Sequence, residues 1–86
     1  MVYNSLKKKS FLITGGTGSF GQKFIKTLTD KYSPKRVVVY SRDEDKQYKM
    51  SQTFNQKCMR YFLGDVRDSE RLMEASRDID IIVHAA

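Results

Sequence analysis

The sequence predicts an α/β fold in which parallel strands alternate with helices, and three features support this prediction. A short apolar run, Phe11 to Ile13, leads directly into a glycine-rich loop, as at the turn from a strand to a helix. A helical pattern of apolar residues follows the loop. A second run, Arg36 to Tyr40, is rich in valine with little polar alternation, which is typical of a strand covered on both faces. Together these segments form a βαβ unit of about 30 residues.

The glycine-rich loop, residues 14 to 21, reads Thr-Gly-Gly-Thr-Gly-Ser-Phe-Gly and spaces Gly15, Gly18 and Gly21 as G-x-x-G-x-x-G. We expect Gly15 to permit a tight turn off the strand. We expect Gly18 to let the backbone approach a pyrophosphate, and Gly21 to let the helix lie close to the sheet. Free amide groups and the positive dipole end at the helix start attract an anion. The loop therefore predicts a dinucleotide-binding site.

The first helix is predicted from apolar residues at near-helical spacing on one face, namely Phe20, Phe24, Ile25, Leu28 and Tyr32. Ser33-Pro34 ends it, because proline lacks an N–H group and disfavours a helical predecessor. Asp43 to Asp45 suit the first turn of a second helix that continues to about Phe54.

The remaining residues predict a third strand, a third helix and a fourth strand. The third strand, Arg60 to Leu63, ends at Gly64-Asp65-Val66. Asp68 or Ser69 can cap the third helix. Asp80 to His84 forms the fourth strand. Within the third helix we expect Leu72, Met73 and Ser76 on one side, and Glu70, Arg71, Glu74 and Arg77 on the exposed side.

Right-handed crossovers place these strands in the order 3-2-1-4, which is the first half of a Rossmann-like, doubly wound parallel sheet. A fourth strand without a following helix leaves a face and an edge bare, so we expect a fragment of a larger fold. Residues 1–9 are a basic leader. Residues 10–86 are expected to be the N-terminal part of a cofactor-binding domain, with the cofactor over the carboxyl ends of the strands.

Composition and charge narrow the function classes. The net charge of +6 is uneven, since residues 1–42 carry nine Lys or Arg against one acid, and residues 43–86 carry seven against nine. Because one half of the chain is basic, nucleic-acid binding is a candidate function. No recognition-helix or basic-aromatic pattern accompanies the charge, so we expect no nucleic-acid partner.

No apolar run approaches the roughly 20 residues of a membrane span. Cys58 is the single cysteine, which excludes an internal disulfide and a cysteine metal cluster. We expect no signal peptide, because residues 1–10 contain no apolar stretch. We expect no metal site, no membrane partner and a cytoplasmic setting.

The residues that end the second strand bear on which dinucleotide binds. NAD-preferring sites place an acid there, but this chain has Ser41-Arg42. The Arg42 guanidinium can stack on adenine and bind a 2′-phosphate, Ser41 can donate its hydroxyl, and Lys46 lies about one helical turn further on. The sequence therefore predicts NADP. Two alternatives remain open: Asp43 could take a ribose 2′-hydroxyl and favour NAD, and Arg42 could pair on the surface with Asp43 or Asp45.

Two further strand ends supply candidate contacts. Asp65 and Val66 follow the third strand, where the Asp65 carboxylate can accept from the adenine amine; a turn-forming role for Asp65 is the alternative. Ala85 and Ala86 follow the fourth strand, and their small side chains admit the ribose and nicotinamide side of the cofactor. His84 has no evident partner in the sequence, so we assign it no catalytic role.

Four segments carry a resemblance to a known family: Ile13 to Gly21, Val39 to Glu44, Met59 to Asp68, and His84 to Ala86. They resemble the extended short-chain dehydrogenases and, more narrowly, the inverting UDP-N-acetylglucosamine 4,6-dehydratases of polysaccharide and flagellin-sugar biosynthesis. The resemblance covers nearly the whole chain after Ser10. It implies that Thr17, Gly18, Ser19 and Phe20 line the pyrophosphate, Ser41 to Lys46 hold the 2′-phosphate end, Asp65 and Val66 flank the adenine, and Ala85 touches the ribose.

The resemblance also implies an activity for a longer parent protein. Such enzymes use a tightly held NADP to take a hydride from sugar C4 of UDP-N-acetylglucosamine, eliminate water across C5 and C6, return the hydride to C6 and invert C5. Family members tend to be oligomers. The catalytic Tyr-x-x-x-Lys of the superfamily lies on later elements, and the one spacing match here, Tyr3 to Lys7, precedes the first strand and is treated as chance. We therefore expect no catalytic residue in these 86 residues and no catalysis by them alone.

Two other functions remain open at this point. A sister enzyme, such as a nucleotide-sugar 4-epimerase or a retaining dehydratase, would share the same cofactor half. A non-catalytic dinucleotide-binding remnant would share the loop without the chemistry.

Overall fold

A computed structural model describes residues 8–85, so Tyr3, Lys7 and Ala86 lie outside the described residues. One parallel sheet has the strand order β3-β2-β1-β4, which confirms the predicted topology. The strands are β1 (Ser10–Thr14), β2 (Arg36–Ser41), β3 (Met59–Leu63) and β4 (Ile81–His84). The helices are α1 (Ser19–Lys31), α2 (Glu44–Thr53) and α3 (Ser69–Ala75).

The two central strands are the most deeply buried elements. All five residues of β1 are buried, and so are the four central residues of β2, Val37 to Tyr40. β1 pairs in parallel with both β2 and β4. The low polar alternation of β2 therefore reflects burial on both faces, as predicted.

The helices divide between the two faces of the sheet. On one face α1 and α2 cover a core whose buried members are Phe11, Ile13, Ile25, Leu28, Val37, Val39, Met50, Phe54 and Met59. On the other face α3 covers a smaller core of Leu12, Val38, Tyr40 and Ala75. This division places α3 opposite α1 and α2, as right-handed crossovers in the order 3-2-1-4 require. Among the described residues, no helix is both long and apolar enough to cross a membrane.

Two residues that were expected to face inward face solvent instead. Phe20 is 58% exposed, because the inward stripe of α1 runs through Gly21, Ile25 and Leu28. One residue of helix turns a side chain by about 100°, so Phe20 lies beside this stripe. Met73 is 71% exposed for the same reason, since α3 turns Ala75 toward the sheet. These two inward predictions were wrong.

Candidate functional site

The glycine loop joins β1 to α1 by a tight turn. Gly15 has a φ of 68°, a left-handed conformation that glycine adopts without steric cost, as expected. Its N–H donates to the Tyr40 carbonyl over 3.0 Å. A Cβ at Gly21 would lie 2.6 Å from the Gly16 Cα and 2.7 Å from the Gly16 oxygen. Gly21 therefore lets α1 approach the backbone of the loop itself.

The start of α1 is open to an anion. Gly18 is the N-cap and gives no side-chain cap, and the first turn contains no acidic residue. The N–H groups of a first helical turn have no partner within their own helix, so the positive end of the helix is left available. Thr17 is only 8% exposed, and among the described residues its hydroxyl has no hydrogen-bond partner. Its carbonyl accepts from the Gln22 side chain over 2.8 Å.

Two clefts adjoin this loop, and Thr17 lines both. A cleft of about 460 Å³ lies over the carboxyl ends of β2 and β3 and brings together most predicted residues. It is named the adenosine cleft after the ligand that the sequence predicts there. A cleft of about 620 Å³, the lysine cleft, lies between the start of α1 and α2. The adenosine cleft is lined by Gly15, Thr17, Tyr40, Ser41, Arg42, Asp43, Gly64, Asp65, Val66 and Arg67. The lysine cleft is lined by Thr17, Gly18, Ser19, Gln22, Lys46, Lys49, Met50 and Thr53.

The structure therefore separates some residues that the sequence grouped. Lys46 lines the lysine cleft and Arg42 the adenosine cleft. Phe20, Gly21 and Ala85 line neither cleft. Ala85 is half-buried, and its N–H donates to the Thr14 carbonyl over 2.8 Å.

Asp65 is held by arginines at the base of the adenosine cleft. The backbone N–H of Arg67 donates to Oδ1 over 2.9 Å, and its guanidinium donates to Oδ2 over 2.8 Å. Arg42 lies 3.4 Å from the same Oδ2, so its surface partner is Asp65 and neither Asp43 nor Asp45. Hydrogen bonds from Arg67 hold the pKa of the Asp65 carboxyl well below its usual range. The Asp65 carboxylate is thus ionised and remains an acceptor.

The Asp65 backbone also takes part in the turn after β3. The buried Tyr40 hydroxyl donates to the Asp65 carbonyl over 2.8 Å, and the Asp68 N–H donates to the same oxygen over 2.9 Å. Together with the Arg67 N–H bond to Oδ1, these contacts show Asp65 in its turn-forming role, and Asp65 also lines the cleft.

Two other candidates have structural partners. Asp43 is the N-cap of α2, and its Oδ1 accepts from the Lys46 N–H over 3.0 Å. His84 does have a partner, since its Nδ1 lies 2.7 Å from the Thr14 hydroxyl. This contact ties the end of β4 to the end of β1, directly before the glycine loop.

Three polar residues near the site were missed from the sequence: Gln47, Lys49 and Arg67. Gln47 belongs to α2, and its buried side chain reaches the end of β2. Because it lies among other polar residues of the helix, the sequence did not indicate that it is buried. Lys49 follows Lys46 by three residues, a spacing that puts two helical side chains on one face. That spacing could have identified it.

The parallel order, the glycine turn and the uncapped start of α1 define a Rossmann-type α/β chain. The chain belongs to the polysaccharide biosynthesis protein family, whose model matches residues 11–86. It is 58% identical over 79 residues to a UDP-N-acetylglucosamine 4,6-dehydratase (inverting) of Campylobacter jejuni, which confirms the resemblance found in the sequence. It is 40% identical over 82 residues to a UDP-glucose 4-epimerase of Rickettsia bellii.

A solved structure supports the fold independently. The X-ray structure of Pen from Bacillus thuringiensis superposes with a TM-score of 0.87 at 37% identity, over 94% of this chain and 25% of that chain. The Campylobacter and Rickettsia matches cover 92% and 91% of this chain, but 24% of each relative. The chain thus spans about a quarter of the length of these relatives.

Proposed function

We propose that these residues are the NADP-binding part of an inverting UDP-N-acetylglucosamine 4,6-dehydratase, which makes a UDP-4-keto-6-deoxy sugar for surface polysaccharides or glycoproteins. The observation that carries this proposal is that the start of α1, which has no side-chain cap, and two clefts meet at one glycine-rich loop, with Thr17 lining both clefts. The 58% identity to the Campylobacter dehydratase supports the choice of substrate class.

The residues present fit a dinucleotide. The free N–H groups at the start of α1 and the Thr17 hydroxyl are donors, as a pyrophosphate requires. Gly18 exposes backbone there, because the nearest atom to a Cβ at this position is an oxygen 3.5 Å away, so the surface stays open to a close ligand. In this proposal Thr17 to Phe20 hold the pyrophosphate, and Asp65 and Val66 hold the adenine. Ala85 would adjoin the ribose on the nicotinamide side.

The preference for NADP rests on the cations around the two clefts. Arg42 and Ser41 line one cleft, and Lys46 and Lys49 line the other. Among the described residues, neither lysine forms an ion pair, whereas Arg42 is shared with Asp65. A 2′-phosphate carries up to two negative charges and gains from each nearby cation. We therefore assign the NADP preference to the lysines, to the Ser41 hydroxyl and to Arg42, whose guanidinium can stack on the adenine and also bind the 2′-phosphate.

When bound, the nicotinamide supplies hydride transfer. The described residues contribute binding and orientation: the loop fixes the pyrophosphate end, and the ionised Asp65 accepts from the adenine amine. We expect the proton transfers and the sugar contacts to come from residues outside this chain. We also propose a cytoplasmic setting, which fits a chain with one cysteine, and an oligomeric parent protein.

Measurements of binding test the proposed cofactor, NADP. Dissociation constants for NADP and NAD are measured by isothermal titration for the wild-type chain and for Arg42→Ala. We expect NADP to bind the wild-type chain more tightly than NAD, and Arg42→Ala to weaken NADP more than NAD. Equal affinities of the wild-type chain for the two cofactors would contradict the NADP assignment.

Turnover of the substrate tests the proposed reaction. The protein purified from its native source is incubated with UDP-N-acetylglucosamine in deuterated water, and the product is analysed by mass spectrometry and NMR. The proposal predicts loss of one water, a 4-keto group and exchange at C5 with inversion. A product of unchanged mass would instead support a 4-epimerase, the second candidate, which the identity to the Rickettsia protein favours. Binding without any product would support a non-catalytic module.

A further inference from the structure

The side-chain amide of Gln47 forms hydrogen bonds at the carboxyl ends of two strands, β2 and β3. The side chain is 6% exposed and projects from α2. Its Nε2 lies 2.9 Å from the Ser41 hydroxyl oxygen, 3.1 Å from the Phe62 carbonyl oxygen and 3.4 Å from the Ser41 carbonyl oxygen. It thereby joins α2 to the ends of β2 and β3, beside the adenosine cleft.

The chemistry of these partners fixes the orientation of the amide. A carbonyl oxygen can only accept, so the amide atom that faces Phe62 and Ser41 must be the nitrogen. An amide nitrogen has two hydrogens, and the two shortest contacts use both. The Ser41 hydroxyl oxygen is therefore an acceptor toward Gln47.

This polarity leaves the hydrogen of the Ser41 hydroxyl free. A serine hydroxyl has one hydrogen to donate, and among the described residues no group accepts it. Ser41 is partly exposed and lines the adenosine cleft. Its O–H group can consequently donate into the cleft, toward an anion.

We propose that Gln47 is a positioning residue that fixes the Ser41 hydroxyl as a donor to the 2′-phosphate of NADP. This inference rests on the proposed NADP preference. Gln47 touches no cofactor itself; it acts by occupying the acceptor side of Ser41. Without it the Ser41 hydroxyl is no longer held as an acceptor and is free to turn its hydrogen away from the cleft, and the phosphate loses one hydrogen bond.

A double-mutant cycle tests the inference. The variants are Ser41→Ala, Gln47→Met and the double variant, with Gln52→Met, an exposed glutamine on the same helix, as the matched control. Dissociation constants for NADP and NAD are measured for each. The NADP-to-NAD ratio is the readout, because a cleft that is merely loosened weakens both cofactors. If Gln47→Met does not fold by circular dichroism, Gln47→Asn replaces it, since it keeps the amide but withdraws it from Ser41.

We expect Ser41→Ala and Gln47→Met each to reduce the preference for NADP by about tenfold, the effect of one hydrogen bond to a charged group. The double variant should then be no worse than Ser41→Ala alone, and Gln52→Met should have no effect. The inference is overturned if the Gln47 substitution lowers the NADP preference as much in the Ser41→Ala background as in the wild type, or if it does not lower that preference at all. In either case the NADP assignment stands. If Ser41→Ala itself leaves the ratio unchanged, Ser41 does not contact the phosphate, and both the contact and the inference fail.

Discussion

Substituting Gly21 and Gly18 separately should distinguish a glycine needed for packing from a glycine needed for binding. A Cβ at Gly21 would lie 2.6 to 2.8 Å from three backbone atoms of Gly16, and backbone atoms cannot rotate away. At Gly18 the nearest non-neighbouring atom to such a Cβ, among the residues that the structure describes, is the Gly15 oxygen at 3.5 Å, and φ is −78°. Alanine therefore fits at Gly18 but not at Gly21.

The expected magnitudes follow from these distances. Overpacking costs about 1 to 3 kcal/mol, and contact with rigid backbone belongs at the upper end of that range. Alanine regains up to about 1 kcal/mol of helix propensity, so Gly21→Ala should lose about 2 kcal/mol of unfolding free energy. For a domain of this size that corresponds to a fall in Tm of about 8 to 16 °C. At Gly18 a poorer N-cap and a less flexible unfolded chain offset each other, so the change should stay within about 0.5 kcal/mol.

The two variants should behave oppositely in a binding assay. The Gly18→Ala methyl group projects where the pyrophosphate is proposed to lie, so its NADP affinity should fall at least about tenfold, or 1.4 kcal/mol, with Tm unchanged. Urea denaturation and isothermal titration on both variants measure the two quantities. A Gly21→Ala protein as stable as the wild type, or a Gly18→Ala protein that binds NADP normally, would refute the reasoning.

Three other outcomes are expected from the charges and hydrogen bonds of the site. Lys46→Gln and Lys49→Gln should each weaken NADP severalfold and NAD little in titrations at low salt, whereas Lys57→Gln, the remote control, should change neither. Tyr40→Phe should lose about 1 kcal/mol of unfolding free energy in urea, because the Asp65 carbonyl loses a buried donor; an unchanged midpoint would contradict this. The lowered pKa of Asp65 means that its ionised form stabilises the fold above its unfolded pKa, near 3.9, and that this contribution is lost as the pH falls below that value. The unfolding free energy of Asp65→Asn should therefore fall less steeply than that of the wild type as the pH drops below about 4. If the two proteins lose unfolding free energy in parallel over this range, the prediction is contradicted.

The sequence predicted those features that depend on short-range patterns. Strand order followed from alternating β and α segments with right-handed crossovers, and the tight turn at Gly15, where φ is positive in the structure, followed from a glycine directly after a strand. The Asp68 cap of α3 was also predicted. Each depends on neighbours within a few residues or on a general rule of chirality.

The missed features depend on contacts in three dimensions that spacing along the sequence does not show. Phe20 was placed inward because spacing alone could not show that Gly21 takes the inward position against Gly16. The alternative for Arg42 named Asp43 or Asp45 as its surface partner, but Arg42 contacts Asp65, which follows the neighbouring strand β3. Gln47 was overlooked because its role depends on the Phe62 carbonyl, fifteen residues away in sequence.

The central claim is that a dinucleotide lies on the loop that opens α1. The measurement that tests it most directly is a titration of the ¹⁵N-labelled chain with NADP, followed by backbone amide shifts. A third cleft, the basic cleft, has a volume of about 680 Å³ and lies at the opposite end of the sheet beside Lys8, Lys9, Lys35 and Arg36. It provides the alternative site for an anion. We predict saturable shifts at Thr17 to Phe20 and at Ser41 to Lys46. Shifts confined to the basic cleft, or no saturable shifts, would contradict the account.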